Sequence, residues 1–353
     1  MTLVSAPAGV VSGSGAGEAG AIPLNLIDVS FSMAMSLSKF YPKGWGDRAL
    51  LGALVERFEA FEAPAPIRVR WLTLPEAGQG VTRATGYFET PVRDFPIPAA
   101  SRAAYFELIL PEGSGPRVRP PVCVYLAATA DQGFGQRRRH VLPLVRRGLG
   151  ALILENPYYG LRRPADQRFS SLGSVADQLL MNLATIEEAR ALLAWLREDG
   201  FEHLGVSGYS MGGFMSAYVA ALMDEPTVCV PCAAGVSPAA AFTHSTLRRL
   251  LRWDILEREL GDDYSARDTL EALYASFSVA RLPLPRDLDL AILVGASRDG
   301  IIAPHDVTAL ARLWQGVEVR WMRGGHISAL AIDPQVIGNA LLDAFGTSMA
   351  KYG

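Results

Sequence analysis

Residues 204–213 read Leu204-Gly205-Val206-Ser207-Gly208-Tyr209-Ser210-Met211-Gly212-Gly213. A short apolar run of strand type enters a Gly-x-Ser-x-Gly sequence, and an apolar helical stretch opens directly behind it. A chain that turns this sharply from strand to helix needs small residues on both sides of the serine. The spacing predicts a strand–turn–helix elbow that lifts the Ser210 hydroxyl above a sheet. It also puts the Met211 N–H at a helix N-terminus, aimed where an oxyanion would form. The plain alternative is a glycine-rich structural turn. The buried strand before the serine and the helix after it favour the elbow.

Outward from the elbow, apolar runs of four to eight residues alternate with helical stretches. The runs are 122–127, 151–154, 204–207, 228–232, 291–294 and 317–321, and the helices are 140–147, 175–198, 212–223, 307–313 and 334–345. Runs of this kind read as strands buried on both faces of a parallel sheet. Repeated strand–helix units imply a right-handed, doubly wound arrangement with its site at the carboxyl ends of the strands. Three earlier runs, 67–74, 81–89 and 104–110, are separated by turns rich in Gly, Pro and Glu, which suits antiparallel strands at the start of the sheet. No strand is evident over 243–286, where helices are expected near 246–260 and 268–277; an insertion there reads as a helical cap over the site. The expected organisation is a tail over residues 1–21 and one domain over 22–353.

A serine hydroxyl is a weak nucleophile without a base. His326 lies in Arg323-Gly324-Gly325-His326-Ile327-Ser328, directly after the last expected strand, and is the candidate base. His305, behind Pro304, is its rival. The acid is expected one strand earlier, where Asp299 follows the run 291–294; Asp306 is the rival there, and a plain Asp-Gly turn at Asp299-Gly300 is the bland reading. The order serine, acid, histidine is that of the α/β-hydrolase fold. The loop Ala128-Thr129-Ala130-Asp131-Gln132-Gly133 follows the first parallel strand, and Thr129 or Ala128 is expected to supply a second oxyanion N–H, with Asp131 bracing the loop. Tyr158 and Tyr159 leave a strand end, offering apolar faces with polar tips suited to a substrate pocket or to a packed turn. Tyr209 and Phe214, on either side of the serine, are the other expected substrate contacts. Arg137, Arg138 and Arg139, with Arg146 and Arg147, read either as a solvated helix face or as contacts for an anionic group.

The chain has 353 residues, half of them apolar, and a formal charge of −3, so no bulk electrostatic reason exists to expect a nucleic-acid partner. Three cysteines make no disulfide framework, and the pair Cys229–Cys232 lacks the further ligands of a zinc site; all three read as buried thiols. No stretch of about 18 apolar residues marks a membrane span. A segment with Phe31, Met33, Met35 and Leu37 reads as a helix against the core or as a peripheral membrane contact. With no signal or transit pattern, a cytoplasmic location is the default.

Several stretches together resemble the abhydrolase domain-containing protein 18-like family of the α/β-hydrolase superfamily. They are Phe40-Tyr41-Pro42-Lys43-Gly44-Trp45-Gly46, the run from Glu155-Asn156-Pro157-Tyr158-Tyr159-Gly160 through Gln167, the elbow Ser210-Met211-Gly212-Gly213, Val230-Pro231-Cys232, and Trp314 through Ala329. The resemblance implies an α/β-hydrolase fold and a lipid-acting serine hydrolase whose triad falls on Ser210, Asp299 and His326. Two departures stand out. The loop after Leu126 carries less glycine than the family pattern and no His, and Phe214 replaces a His behind the elbow. The expected chemistry is hydrolysis of a small-molecule or lipid acyl ester through an acyl-enzyme. That chemistry needs no metal or organic cofactor. A peptidase or thioesterase uses the same parts, and a non-catalytic binding protein is the reading from another class.

Overall fold

The computed structural model describes residues 39–115 and 118–353. The tail expected over residues 1–21 and the helix with Phe31, Met33, Met35 and Leu37 lie outside the described residues.

Among the described residues, ten strands form one mixed sheet. The first four are antiparallel: β1 (Arg70–Trp71), β2 (Glu76–Gly78), β3 (Val81–Glu89) and β4 (Ala103–Pro111). β4 joins antiparallel to β6 (Gly150–Leu154). From there β5 (Val122–Leu126), β7 (Leu204–Tyr209), β8 (Val228–Cys232), β9 (Leu293–Ala296) and β10 (Val319–Met322) run parallel. The order across the sheet is β1-β3-β4-β6-β5-β7-β8-β9-β10, with β2 beside β3. The crossover at β5 and β6 is the doubly wound arrangement read from the alternating runs.

Every residue of β5, β6 and β8 is buried, and the side chains alternate between two cores. Val122, Val124 and Val206 face one layer, formed by α1 (Arg48–Glu59), α3 (Val175–Glu198), α4 (Met211–Ala221) and α8 (Pro304–Leu313). Cys123, Tyr125 and Val230 face the other, formed by α2 (Gly135–Val145) and α10 (Gln335–Tyr352). Between β8 and β9 lie α5 (Ala239–Thr243), a 3-10 turn at Thr246–Leu250, α6 (Trp253–Leu260) and α7 (Ala266–Ser276). The helix read over 246–260 is thus two elements, broken where Leu251 pairs with Phe40. α9 (Ser328–Ile332) follows β10.

Several expected bounds shift, and the last helix, read over 334–345, runs on to Tyr352. The strand read over 67–74 shrinks to Arg70–Trp71, because the Leu72 and Thr73 N–H groups share the Thr85 carbonyl at 2.8 and 3.3 Å and the ladder ends in a bulge. α2 begins at Gly135 rather than 140, since its polar first turn is anchored by Arg137, whose guanidinium reaches carbonyls of Tyr125 and Gly133. β9 begins two residues after the apolar run does. Ala291 and Ile292 are buried, but the ladder to β10 starts at Leu293 opposite Val319.

Candidate active site

Ser210 sits between β7 and α4 with φ 56° and ψ −116°, a left-handed conformation that costs a non-glycine residue about 1–3 kcal/mol. Two bonds hold it there: its N–H donates to the Cys232 carbonyl at 2.8 Å, and its carbonyl accepts from Phe214 N–H at 2.9 Å. The flanking glycines are required by close approach. A Cβ on Gly208 would stand 2.5 Å from the Gly212 carbonyl carbon, and one on Gly212 would stand 2.5 Å from the Leu126 carbonyl oxygen.

The side chain of Ser210 then meets His326. Oγ lies 2.9 Å from Nε2, and Nδ1 of the same ring lies 2.7 Å from Asp299 Oδ2. Asp299 is fully buried and His326 is 4% exposed, so this line of three groups is sheltered from water. The second oxygen of Asp299 accepts from the Ile301 and Ile302 N–H groups at 2.8 and 2.9 Å. Both carboxylate oxygens are therefore engaged, and the group has one orientation open to it: receiving the Nδ1 proton. A histidine held this way carries its free lone pair on Nε2, toward the serine.

The rivals stand elsewhere. The His305 side chain is 80% exposed and lies 3.7 Å from Asp306. Asp306 accepts from the Ala303 N–H at 3.0 Å and so caps α8. Burial pushes its carboxyl above the usual range. His244 is an exposed partner of Glu271, and His203 bonds Ser348.

The loop after β5 runs beside the elbow. Thr129 Oγ1 lies 3.8 Å from Met211 Sδ, and Thr129, Met211 and Ser210 line one narrow cavity. Ala130 donates its N–H to the Tyr159 hydroxyl at 3.2 Å, and Asp131 donates to the Ala128 carbonyl at 3.1 Å. The Thr129 and Met211 N–H groups are left without acceptors among the described residues. Phe214 lines the same cavity. The three tyrosines make other contacts. Tyr159 is fully buried under the loop, its hydroxyl pushed up to about 12 by burial. The Tyr158 hydroxyl meets Asp177 at 3.2 Å. The Tyr209 hydroxyl donates to the His326 carbonyl, and its ring centre lies 5.2 Å from that of His326. None of the three lines the cavity at Ser210, whereas Gln178 and Asn182, which the sequence reading did not single out, do. They stand one turn apart on α3, joined at 3.0 Å, with Gln178 Nε2 3.5 Å from Met211 Sδ. Their signal was a pair of amides at helical spacing in an otherwise apolar stretch.

The arginine cluster divides. Arg137 is buried against Asp131 at 2.8 Å, and Arg138 grips Glu107 at 2.7 and 2.8 Å. Burial raises the carboxyls of Asp131 and Glu155 and lowers the Arg137 guanidinium. Arg139 and Arg147 are exposed. No group of three or more His, Cys, Asp or Glu side chains with the geometry to hold a metal occurs among the described residues. Nor is any described helix long and apolar enough to cross a membrane.

A family model for alpha/beta hydrolase domain containing 18 matches residues 38–278 and 265–347. Among solved structures, the chain is similar to an acetyl xylan esterase from Paenibacillus sp. R4, at 13% identity and a TM-score of 0.51, over 83% of this chain and 93% of that one. It is also similar to a puromycin-hydrolyzing peptidase from Mycobacterium tuberculosis, at 13% identity and a TM-score of 0.50, over 80% of this chain and 48% of that one. At such identities the likeness is one of fold.

Proposed function

The chain belongs to the alpha/beta hydrolase domain containing 18 family, and from that premise we propose that it is a serine hydrolase that cleaves carboxylic esters through an acyl-enzyme. The observation that carries this reading is the buried hydrogen-bonded line from Ser210 Oγ through His326 to Asp299, with spacings of 2.9 and 2.7 Å. Those are the distances at which a proton passes in one step.

In the first half-reaction the Ser210 oxygen bonds the ester carbonyl carbon while its proton passes to His326 Nε2. The carbonyl π electrons move onto oxygen, where the N–H groups of Met211 and Thr129 receive the charge. Asp299 stabilises the imidazolium that forms, since it holds the Nδ1 proton from a dry, fully bonded position. The tetrahedral centre collapses, the carbon–alkoxide bond breaks, and His326 returns its proton to the leaving alcohol. Water repeats the sequence on the acyl-enzyme, giving the carboxylic acid and free serine.

The acyl group enters the cavity that Met211, Phe214, Phe242, Leu247 and Ile302 line. Its volume is about 40 Å³, far below the roughly 300–1,000 Å³ of sites that enclose drug-sized ligands. A short acyl group fits as the site stands. A lipid-like chain enters only as the segment carrying Phe242 and Leu247 moves, which makes that segment the cap of the site. The test is a series of p-nitrophenyl esters from acetate to decanoate. Hydrolysis that vanishes in Ser210→Ala supports the reading, and Phe242→Ala with Leu247→Ala should shift the preference toward longer chains. Equal hydrolysis by Ser210→Ala would overturn it.

A further inference from the structure

A second cavity lies behind the elbow, between α2 and α10 and against the ends of β5, β7 and β8. Its volume is about 390 Å³, within the range of sites that hold small ligands. Neither Ser210 nor His326 lines it, so it is not the acyl pocket. Its walls are mostly apolar, with Leu126, Pro143, Leu144, Leu330, Ile337 and Leu341 among them. Its mouth is different in character. Arg139, His140 and Arg147, all exposed, stand along α2 and the turn after it. Spacings of four and eight residues from 139 put Arg139, Pro143 and Arg147 on one side of that segment.

The charges at this mouth are uncompensated. The guanidinium groups of Arg139 and Arg147 make no ion pair or hydrogen bond among the described residues, unlike those of Arg137 and Arg138 beside them. Among the described residues, the sole carboxylate lining the cavity is Asp131, and it is already tied to Arg137 at 2.8 Å. An apolar chamber with two free guanidinium groups at its entrance is complementary to a chain with a carboxylate at one end. Guanidinium groups bind that end through paired N–H donors.

We propose that the cavity between α2 and α10 is a binding site for a single-chain amphipathic carboxylate, with the chain against Leu144, Ile337 and Leu341 and the head on Arg139 and Arg147. The occupant stands against the Tyr209 ring, whose hydroxyl holds the His326 carbonyl, so the two sites share a wall. The inference rests on the cavity and its charges and holds whether or not Ser210 is a nucleophile.

Calorimetric titration of the full chain with decanoate tests it, with Ser210→Ala as host so that turnover plays no part. Binding of one decanoate per chain is expected, weakened by about tenfold or more, or about 1.4 kcal/mol, in Arg139→Gln combined with Arg147→Gln. Both positions are exposed, so the fold should be unaffected, and an unchanged melting temperature checks this. Ile337→Trp, which fills the chamber, should abolish binding. Decanol, with the same chain and no charge, should bind the double variant as it binds its host. Decanoate that fails to bind, or that binds the double variant as tightly as its host, would overturn the proposal.

Discussion

At the scale of single residues, the site depends on orientation more than on the presence of three side chains. Asp299 has both oxygens committed, one to His326 and one to two backbone N–H groups. Asp299→Asn keeps the volume but sets an amide NH2 either against Nδ1–H or against the Ile301 and Ile302 N–H groups, donor against donor in both cases. A fall in kcat of roughly 10³–10⁴-fold is expected, by analogy with the same change in other Ser-His-Asp sites. Steady-state kinetics check it, and a change under tenfold would contradict the role given to Asp299. Tyr209 acts at one remove, through the His326 carbonyl. Tyr209→Phe should lower kcat about tenfold, inside the roughly 10²-fold that a misplacement of about 1 Å can cost, with KM held. A rise in KM alone would make Tyr209 a substrate contact instead. The positions of Ser210, Asp299 and His326 were legible because each follows a recognisable strand. The hydrogen bonds of Tyr158, Tyr159 and Tyr209 were not, because a tyrosine at a strand end reads alike whether its hydroxyl meets substrate or protein.

Among elements, the family-specific stretches turn out to be ties between parts of the chain. In the segment 40–46, Phe40 pairs with Leu251, the Trp45 indole donates to the Leu256 carbonyl at 3.0 Å, and Tyr41 meets Tyr274 at 2.7 Å. This short segment thus pins α6 and α7, which the sequence separates from it by some two hundred positions. Trp45→Ala should cost about 3–5 kcal/mol in urea unfolding, the usual penalty for emptying a buried aromatic site. In the stretch after β6, Arg162 and Glu188 are both fully buried and form a two-pronged pair at 2.6 and 2.7 Å. Removing one partner leaves a bare buried charge, so Arg162→Met should cost about 3–5 kcal/mol, and adding Glu188→Leu should restore much of it. A double variant no more stable than the single would contradict that. None of these ties is visible as periodicity, because each joins groups distant in sequence. The elements themselves were visible, since β3, β8 and α3 follow their hydrophobic patterns end to end. The pattern failed where burial and pairing part company, as at Ala291, which is buried before its ladder begins.

For the whole molecule, the two cores on either side of the sheet leave no thiol at the surface. Cys123, Cys229 and Cys232 are buried, and burial pushes the Cys232 thiol up to about 12 against the lowering effect of a hydrogen bond with Ser207. The native protein should therefore show no fast reaction with a thiol reagent, and all three groups should appear together with global unfolding in denaturant. One thiol reacting ahead of the others would mean the sheet opens in parts. The overall architecture was legible because parallel strands buried on both faces leave continuous apolar runs, and strand–helix repetition admits few topologies. The central claim is narrower: that this architecture activates one serine. Labelling of the intact protein with a fluorophosphonate, followed by peptide mapping, tests it most directly. A single adduct on Ser210, lost in Ser210→Ala, is the predicted result. Wild-type protein that stays unlabelled, or labelling that persists in the variant, would contradict it.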